Sequence, residues 1–184
     1  MPDPYVARLL DYNVWANREL LRFVATLPET ALDATTTAGV FGTVRQTLEH
    51  MLSSELLYER YLERLSREGV IRPEHPSLPE LQAIAAASAT NLSRIVNALP
   101  DPAEKMQLRD GLRSAGTIFV QLLSHSAEHR THVCTILGSL GHRLPELDSW
   151  SHGIFVNGDD WPEEWGEEPA DRMVWYEARS GLAP

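Results

Sequence analysis

The sequence predicts an all-α protein, a four-helix bundle joined by long connections. Three observations carry that reading. Four stretches of about 20 residues repeat apolar side chains every three or four positions, the period of a helix with one buried face. Each opens on a residue suited to a helix start. No stretch shows the strict alternation expected of a half-buried strand.

In chain order, the first helix is expected over residues 4–27, where Leu9, Tyr12, Ala16, Leu20, Phe23 and Leu27 share a stripe. Pro4 suits its first turn and Pro28 ends it. Asn13 and Asn17 fall on the flank of the stripe, facing either solvent or a cavity. Residues 29–42, with Thr35-Thr36-Thr37, Gly39 and Gly42, read as a loop. Thr43-Val44-Arg45-Gln46 has the form of a capping box, and a second helix is expected over 44–67. Its core face holds Val44, Leu48, Met51, Leu52, Tyr58, Leu62 and Leu65, with His50, Leu57 and Tyr61 along one edge.

Gly69 to Pro76 breaks the pattern and carries a solvated His75. Ser77-Leu78-Pro79-Glu80 is a second capping box, and the third helix follows to about residue 98. Pro100 to Gly116 is a connection in which Met106 to Leu112 has the character of a short extended piece. Thr117 is a suitable N-cap for the fourth helix, and Gly141 a suitable residue just past its end. Connections of this length exceed what antiparallel neighbours need and permit a crossover. After Pro145 the composition changes: four of the five tryptophans, Trp150, Trp161, Trp165 and Trp175, stand among Gly, Asp and Glu, and residues 170–179 suggest a short helix. The expected division is therefore residues 1–145 as the bundle domain and 146–184 as an acidic extension. That extension should pack on the bundle or on a partner subunit.

A chain of 184 residues suits one domain with a good hydrophobic core. The net charge of −10 is concentrated in the extension, which has ten acidic residues and two arginines. No basic stripe is present, so nucleic acid is not an expected partner, and an acidic tail is repelled by anionic lipid. No apolar run reaches transmembrane length and the first residues lack a signal-peptide core. With a single cysteine, Cys134, an internal disulfide is excluded. A cytoplasmic location is expected. Cys134 lies off the apolar stripe and reads as a structural thiol.

The chemistry concentrates in Ser124 to His132. On an ideal helix, Ile118, Leu122, His125, His129, Val133, Ile136 and Leu140 fall within roughly 80° of arc. His125 and His129, one turn apart on that stripe, can both reach one ion. Each buried ring otherwise needs a partner of its own, so the alternative is a pair of hydrogen-bonded core histidines. His50, at the edge of the second helix, is placed to enter the same interior as a third ligand. Three imidazoles leave a position open, as catalytic zinc sites do, though imidazole also suits nickel, copper and iron. His132, at the edge of the stripe, is a fourth ligand candidate but is expected rather to stand beside a ligand or in the pocket, with Tyr61 and Asn17 as further pocket groups. Glu55 and Glu128 are placed to orient ligand rings, but read rather as ordinary surface acids. His142 and His152 lie outside the predicted helices, and no role is assigned to them.

These motifs together resemble the DinB family, also called DinB/YfiT-like. The first helix carries Tyr12-Asn13-Val14-Trp15-Ala16-Asn17, similar to the family's aromatic-x-x-Trp-x-Asn opening. Leu48-Glu49-His50-Met51 resembles its lone histidine on the second helix. His125-x-x-x-His129-Arg130-Thr131-His132 resembles its H-x-x-x-H-R-x-Q segment, with His132 where the family usually has Gln. Pro145-Glu146-Leu147-Asp148-Ser149-Trp150 is similar to its P-x-L-D-x-W sequence. The likeness spans about residues 5–155; the acidic, Trp-rich tail is not a family hallmark. The resemblance implies a four-helix bundle with a crossover order, a divalent metal on His50, His125 and His129, and often a homodimer. It also implies metal-dependent transferases or isomerases using low-molecular-weight thiols such as bacillithiol, mycothiol or glutathione.

Three functions follow. The first is a metal-dependent enzyme, with zinc or nickel as cofactor, transferring a low-molecular-weight thiol to a small electrophile. The second is a metal-binding stress or regulatory protein that acts through a partner without turnover. The third is a plain helical dimerisation module whose histidines are satisfied core groups.

Overall fold

A computed structural model describes residues 2–70 and 72–180; the last residues of the expected extension, 181–184, lie outside it. The chain is mostly helical. Four long helices form its body: α1 (Pro4–Ala25), α2 (Val44–Leu62), α3 (Leu78–Ile95) and α4 (Ala115–Ser139). An antiparallel hairpin of β1 (Lys105–Leu108) and β2 (Gly111–Ser114) precedes α4. The short helices α5 (Ser149–His152) and α6 (Arg172–Ser180) follow.

The helix starts follow from local chemistry. Asp3 accepts hydrogen bonds from the Tyr5 and Val6 amides at 2.8 and 3.3 Å, satisfying donors that α1 leaves unpaired. Thr43 and Gln46 close a capping box on α2, the Thr43 amide donating to Gln46 Oε1 at 3.0 Å and the Gln46 amide to Thr43 Oγ1 at 3.2 Å. The Ser77 amide donates to Glu80 Oε2 at 2.8 Å in front of α3. Gly141, at φ +85°, sits just past the end of α4 in the left-handed conformation that a residue without Cβ adopts freely.

Helices α1 and α3 end at Ala25 and Ile95, two and about three residues before expectation, and three further differences have local causes. Helix α2 ends at Leu62 rather than 67, because the chain reverses through Arg64 at φ +60°, which leaves Leu65 exposed. Helix α4 starts at Ala115, since Ser114 caps it by accepting the Thr117 amide at 3.2 Å, so Thr117 lies inside the first turn. The extended piece near Met106–Leu112 is a hairpin that turns at Arg109-Asp110. Leu9 and Leu140, expected on core stripes, are exposed: Leu140 is already beyond the last turn of α4.

Helix α1 packs on α3 and α4, and α2 packs on the same two helices. Sequence neighbours α1 and α2 are therefore diagonal to each other. The main core joins Trp15, Leu20, Leu48, Met51 and Ile136 with Ile154, Phe155 and Tyr176 from beyond residue 145. A second cluster, including Tyr61, Ile118 and Leu122, lies toward the hairpin. The chain beyond residue 145 is held against α1 by Tyr12, whose hydroxyl donates to the Leu147 carbonyl ahead of α5 at 2.8 Å, and by an Arg22–Glu177 ion pair at 2.7 Å. None of the helices described is long and apolar enough to cross a membrane.

Candidate metal centre

The seam between α2 and α4 brings three imidazoles together. His50 Nε2 lies 3.0 Å from His125 Nε2, which lies 3.2 Å from His129 Nε2. The three ligand atoms are all within 4.8 Å of one another. His125 and His129 reach the seam because they are one turn apart on the buried stripe of α4. His50 reaches it because α2 presents the edge of its apolar face to α4.

These nitrogens cannot satisfy one another. His125 Nε2 carries either one proton or one lone pair, and so serves one of its two contacts. A cation accepts all three lone pairs. Zinc–imidazole bonds of 2.0–2.1 Å at the tetrahedral angle place donors about 3.3–3.4 Å apart, close to the spacings observed. The donor set thus suits a divalent ion, and three close histidines could hold one.

The electrostatics agree. Burial, reinforced by His129, His50 and Arg72, pushes His125 down to about 4. Burial, with His50 and His132 beside it, pushes His129 down to about 4 as well. Burial followed by Arg72 lowers His50. All three rings are therefore neutral near pH 7 and keep their lone pairs available.

The walls are aromatic. Phe41 stacks on His50 with ring centres 4.1 Å apart and meets His129 edge-on at 5.2 Å. Tyr58 meets His125 edge-on at 5.6 Å. His132 Nδ1 lies 3.2 Å from His129 Nδ1. Below Tyr58 the seam opens into a cavity of about 440 Å³ that Tyr61 also lines.

Asn17 takes a different place. It is buried in a polar network joining α1, α2 and α4, hydrogen-bonded to Glu55 and Arg130 rather than to the three rings. Asn13 and Asn17 each donate to Glu55 Oε2 at 3.0 Å, and Ser126 donates to the same oxygen at 2.7 Å. Arg130 Nη1 donates to the two asparagine oxygens at 2.8 and 2.7 Å. Glu55 is therefore not a surface acid: it is 1% exposed, with donors arriving from three other helices. The network braces Ser126 and Arg130, the residues following His125 and His129. Glu128 and His75 are exposed, as expected of them. His152 is buried beside Asp11, its Nε2 3.2 Å from Asp11 Oδ2.

Sequence reasoning missed Phe41, Arg72 and Arg130 as neighbours of the site. Phe41 and Arg72 lie in loops, where no periodicity indicates direction. Tyr58 had a signal, standing two turns after His50 on the same side of α2.

No curated protein matches the chain. The model of the DinB family matches residues 1–153, from α1 to just past α5, and the chain belongs to that family.

Proposed function

We propose that the protein is a metal-dependent enzyme that transfers a low-molecular-weight thiol to a small electrophile, with His50, His125 and His129 holding zinc or nickel. The observation that carries the reading is the convergence of three neutral imidazole nitrogens with no fourth His, Cys, Asp or Glu in the group among the described residues. Catalytic zinc sites take three protein ligands and keep a position open, whereas structural sites are closed by four. The packing of α1 and α2 on both α3 and α4 supports a four-helix bundle with crossover connections as the scaffold.

When bound, such a cation lowers the pKa of a thiol or water at its open position. The chain's own groups do the rest. Burial keeps the imidazoles unprotonated, His132 holds the His129 ring, and Phe41 and Tyr58 present apolar faces that exclude water from a thiolate. The nucleophile has to come from a diffusible thiol. Burial pushes the thiol of Cys134, the one cysteine, up to about 11, so it stays protonated.

The test is elemental analysis of purified protein beside His125→Ala, followed by a thiol-consumption assay with a model electrophile. Stoichiometric metal in the wild type, background metal in the variant and metal-dependent consumption are expected. Equal metal in both removes the reading. Bound metal without consumption of any thiol favours a binding or regulatory role instead.

A further inference from the structure

The cavity below the three histidines has an unusual lining for an acidic protein. Arg67, Arg72, Arg109 and Arg113 border it, with Tyr58 and Tyr61 on one wall and a single acid, Asp110. The whole chain carries a net charge of −10. Among the described residues Arg67 and Arg109 form no ion pair. Arg113 is tied to Asp110 at 3.1 Å and Arg72 donates to Ser54 Oγ at 3.0 Å. Exposed arginines are ordinary when they spread over a convex surface. Here four of them, from the loop after α2 and from the hairpin, border one concave space larger than the 270 Å³ groove between α1 and α3.

That space adjoins the metal centre across Tyr58. Tyr58 touches both, lining the cavity and meeting His125. Ser54, which holds Arg72, is one turn from His50 on α2. At 1.5 Å per residue, Tyr61 lies about 16 Å along α2 from His50, and Ile118 about 10 Å along α4 from His125. The seam therefore has the reach of a small molecule with a reactive group at one end and a charged group at the other.

We propose that this arginine-lined cavity is the subsite for an anionic group, carboxylate or phosphate, of the substrate. Planar guanidinium forks match such oxygens two at a time. Arg109, at the tip of the hairpin turn, and Arg72 supply the forks, Tyr61 lines the apolar stem, and Asp110 limits the charge by engaging Arg113. Its role as a substrate subsite rests on the thiol-transfer reading; the binding of an anion there does not.

The experiment is calorimetric titration of the full chain, as purified with metal, with inorganic phosphate and in parallel with succinate. Binding of at least one anion is expected, and the stronger of the two identifies the group preferred. Arg72→Gln and Arg109→Gln should each weaken it about tenfold, the loss of a charged hydrogen bond. Asp110→Asn should tighten it about two- to fivefold by releasing Arg113, a gain that misfolding cannot produce. His125→Ala, which loses the charge of the metal, should still bind the anion and keep the dependence on Arg72 and Arg109. Failure of the metal reading would appear as metal-free wild type that still binds through the arginines. Absence of binding by the wild type overturns the subsite. So does binding that survives both arginine variants and vanishes in His125→Ala, which would put the anion on the metal.

Discussion

His132 Nδ1 lies 3.2 Å from His129 Nδ1, on the side of the His129 ring away from the other imidazoles. A neutral His129 that offers the Nε2 lone pair carries its proton on Nδ1. His132 then accepts that proton's hydrogen bond and fixes both the tautomer and the ring angle. Such outer partners are worth about 10–100-fold in metal affinity. His132→Ala should weaken metal binding by that amount in a competition titration with a chelator. His132→Gln, whose carbonyl also accepts, should stay within a few-fold of the wild type. Equal affinities in all three proteins would remove His132 from the site.

The contrast between His132 and Glu55 shows which parts of the protein can be read from sequence. The position of His132, three residues from His129 on the same helix, follows from helical periodicity alone, as does the His125–His129 pair. The 3.0 Å approach of His50 to His125 does not, because it depends on which helices become neighbours. Glu55 reads as a surface acid because its four donors, Asn13, Asn17, Ser88 and Ser126, come from three other helices. The helix starts were legible wherever a capping side chain is local, as at Thr43 and Ser77. The end of α2 was not, because the apolar period runs on through Leu65 while the backbone turns at Arg64.

Phe41 covers His50 at 4.1 Å from a loop bounded by Gly39 and Gly42, both at positive φ. The ring is 44% exposed, so it contributes little to folding and much to access. Phe41→Ala should speed metal release to a chelator, measured by stopped flow. Its stability should stay within about 1 kcal/mol of the wild type. An unchanged release rate would mean that the loop does not gate the site.

Tyr176 carries the contact between the segment beyond residue 145 and the helices. Its side chain is 1% exposed, with ring centres 4.6 Å from Phe155 and 6.2 Å from Trp15, and its hydroxyl donates to the Glu146 carbonyl at 3.2 Å. Tyr176→Ala should cost about 3–5 kcal/mol, the range for large aromatics removed from a core. For a chain of this size that is a melting-temperature fall of about 10 °C. Thermal unfolding followed by circular dichroism reads the outcome. A fall under about 2 °C would show that the extension is dispensable for the bundle.

Ser88 Oγ is hydrogen-bonded to both Glu55 Oε1 and Glu59 Oε1, yet a hydroxyl has a single proton to give. One of the two contacts therefore needs a proton from a carboxyl group. Burial raises Glu59 from its ordinary 4.5 to about 8, against smaller opposing effects from Ser88 and Asn91. A protonated Glu59 donates to Ser88, Ser88 donates to Glu55, and Asn91 donates to the other Glu59 oxygen at 2.8 Å. The folded state then keeps a proton that the unfolded chain releases above pH 4.5. The contribution of Glu59 to stability is complete below pH 4.5 and declines as pH rises toward 8. In Glu59→Gln the amide can donate to Ser88 and the carbonyl accept from Asn91, the same pattern without titration. Its stability should match the wild type to within about 1 kcal/mol near pH 5 and exceed it by about 3–4 kcal/mol near pH 8. Urea unfolding at the two pH values measures this. A difference that does not grow with pH would mean that Glu59 is ionised in the folded core.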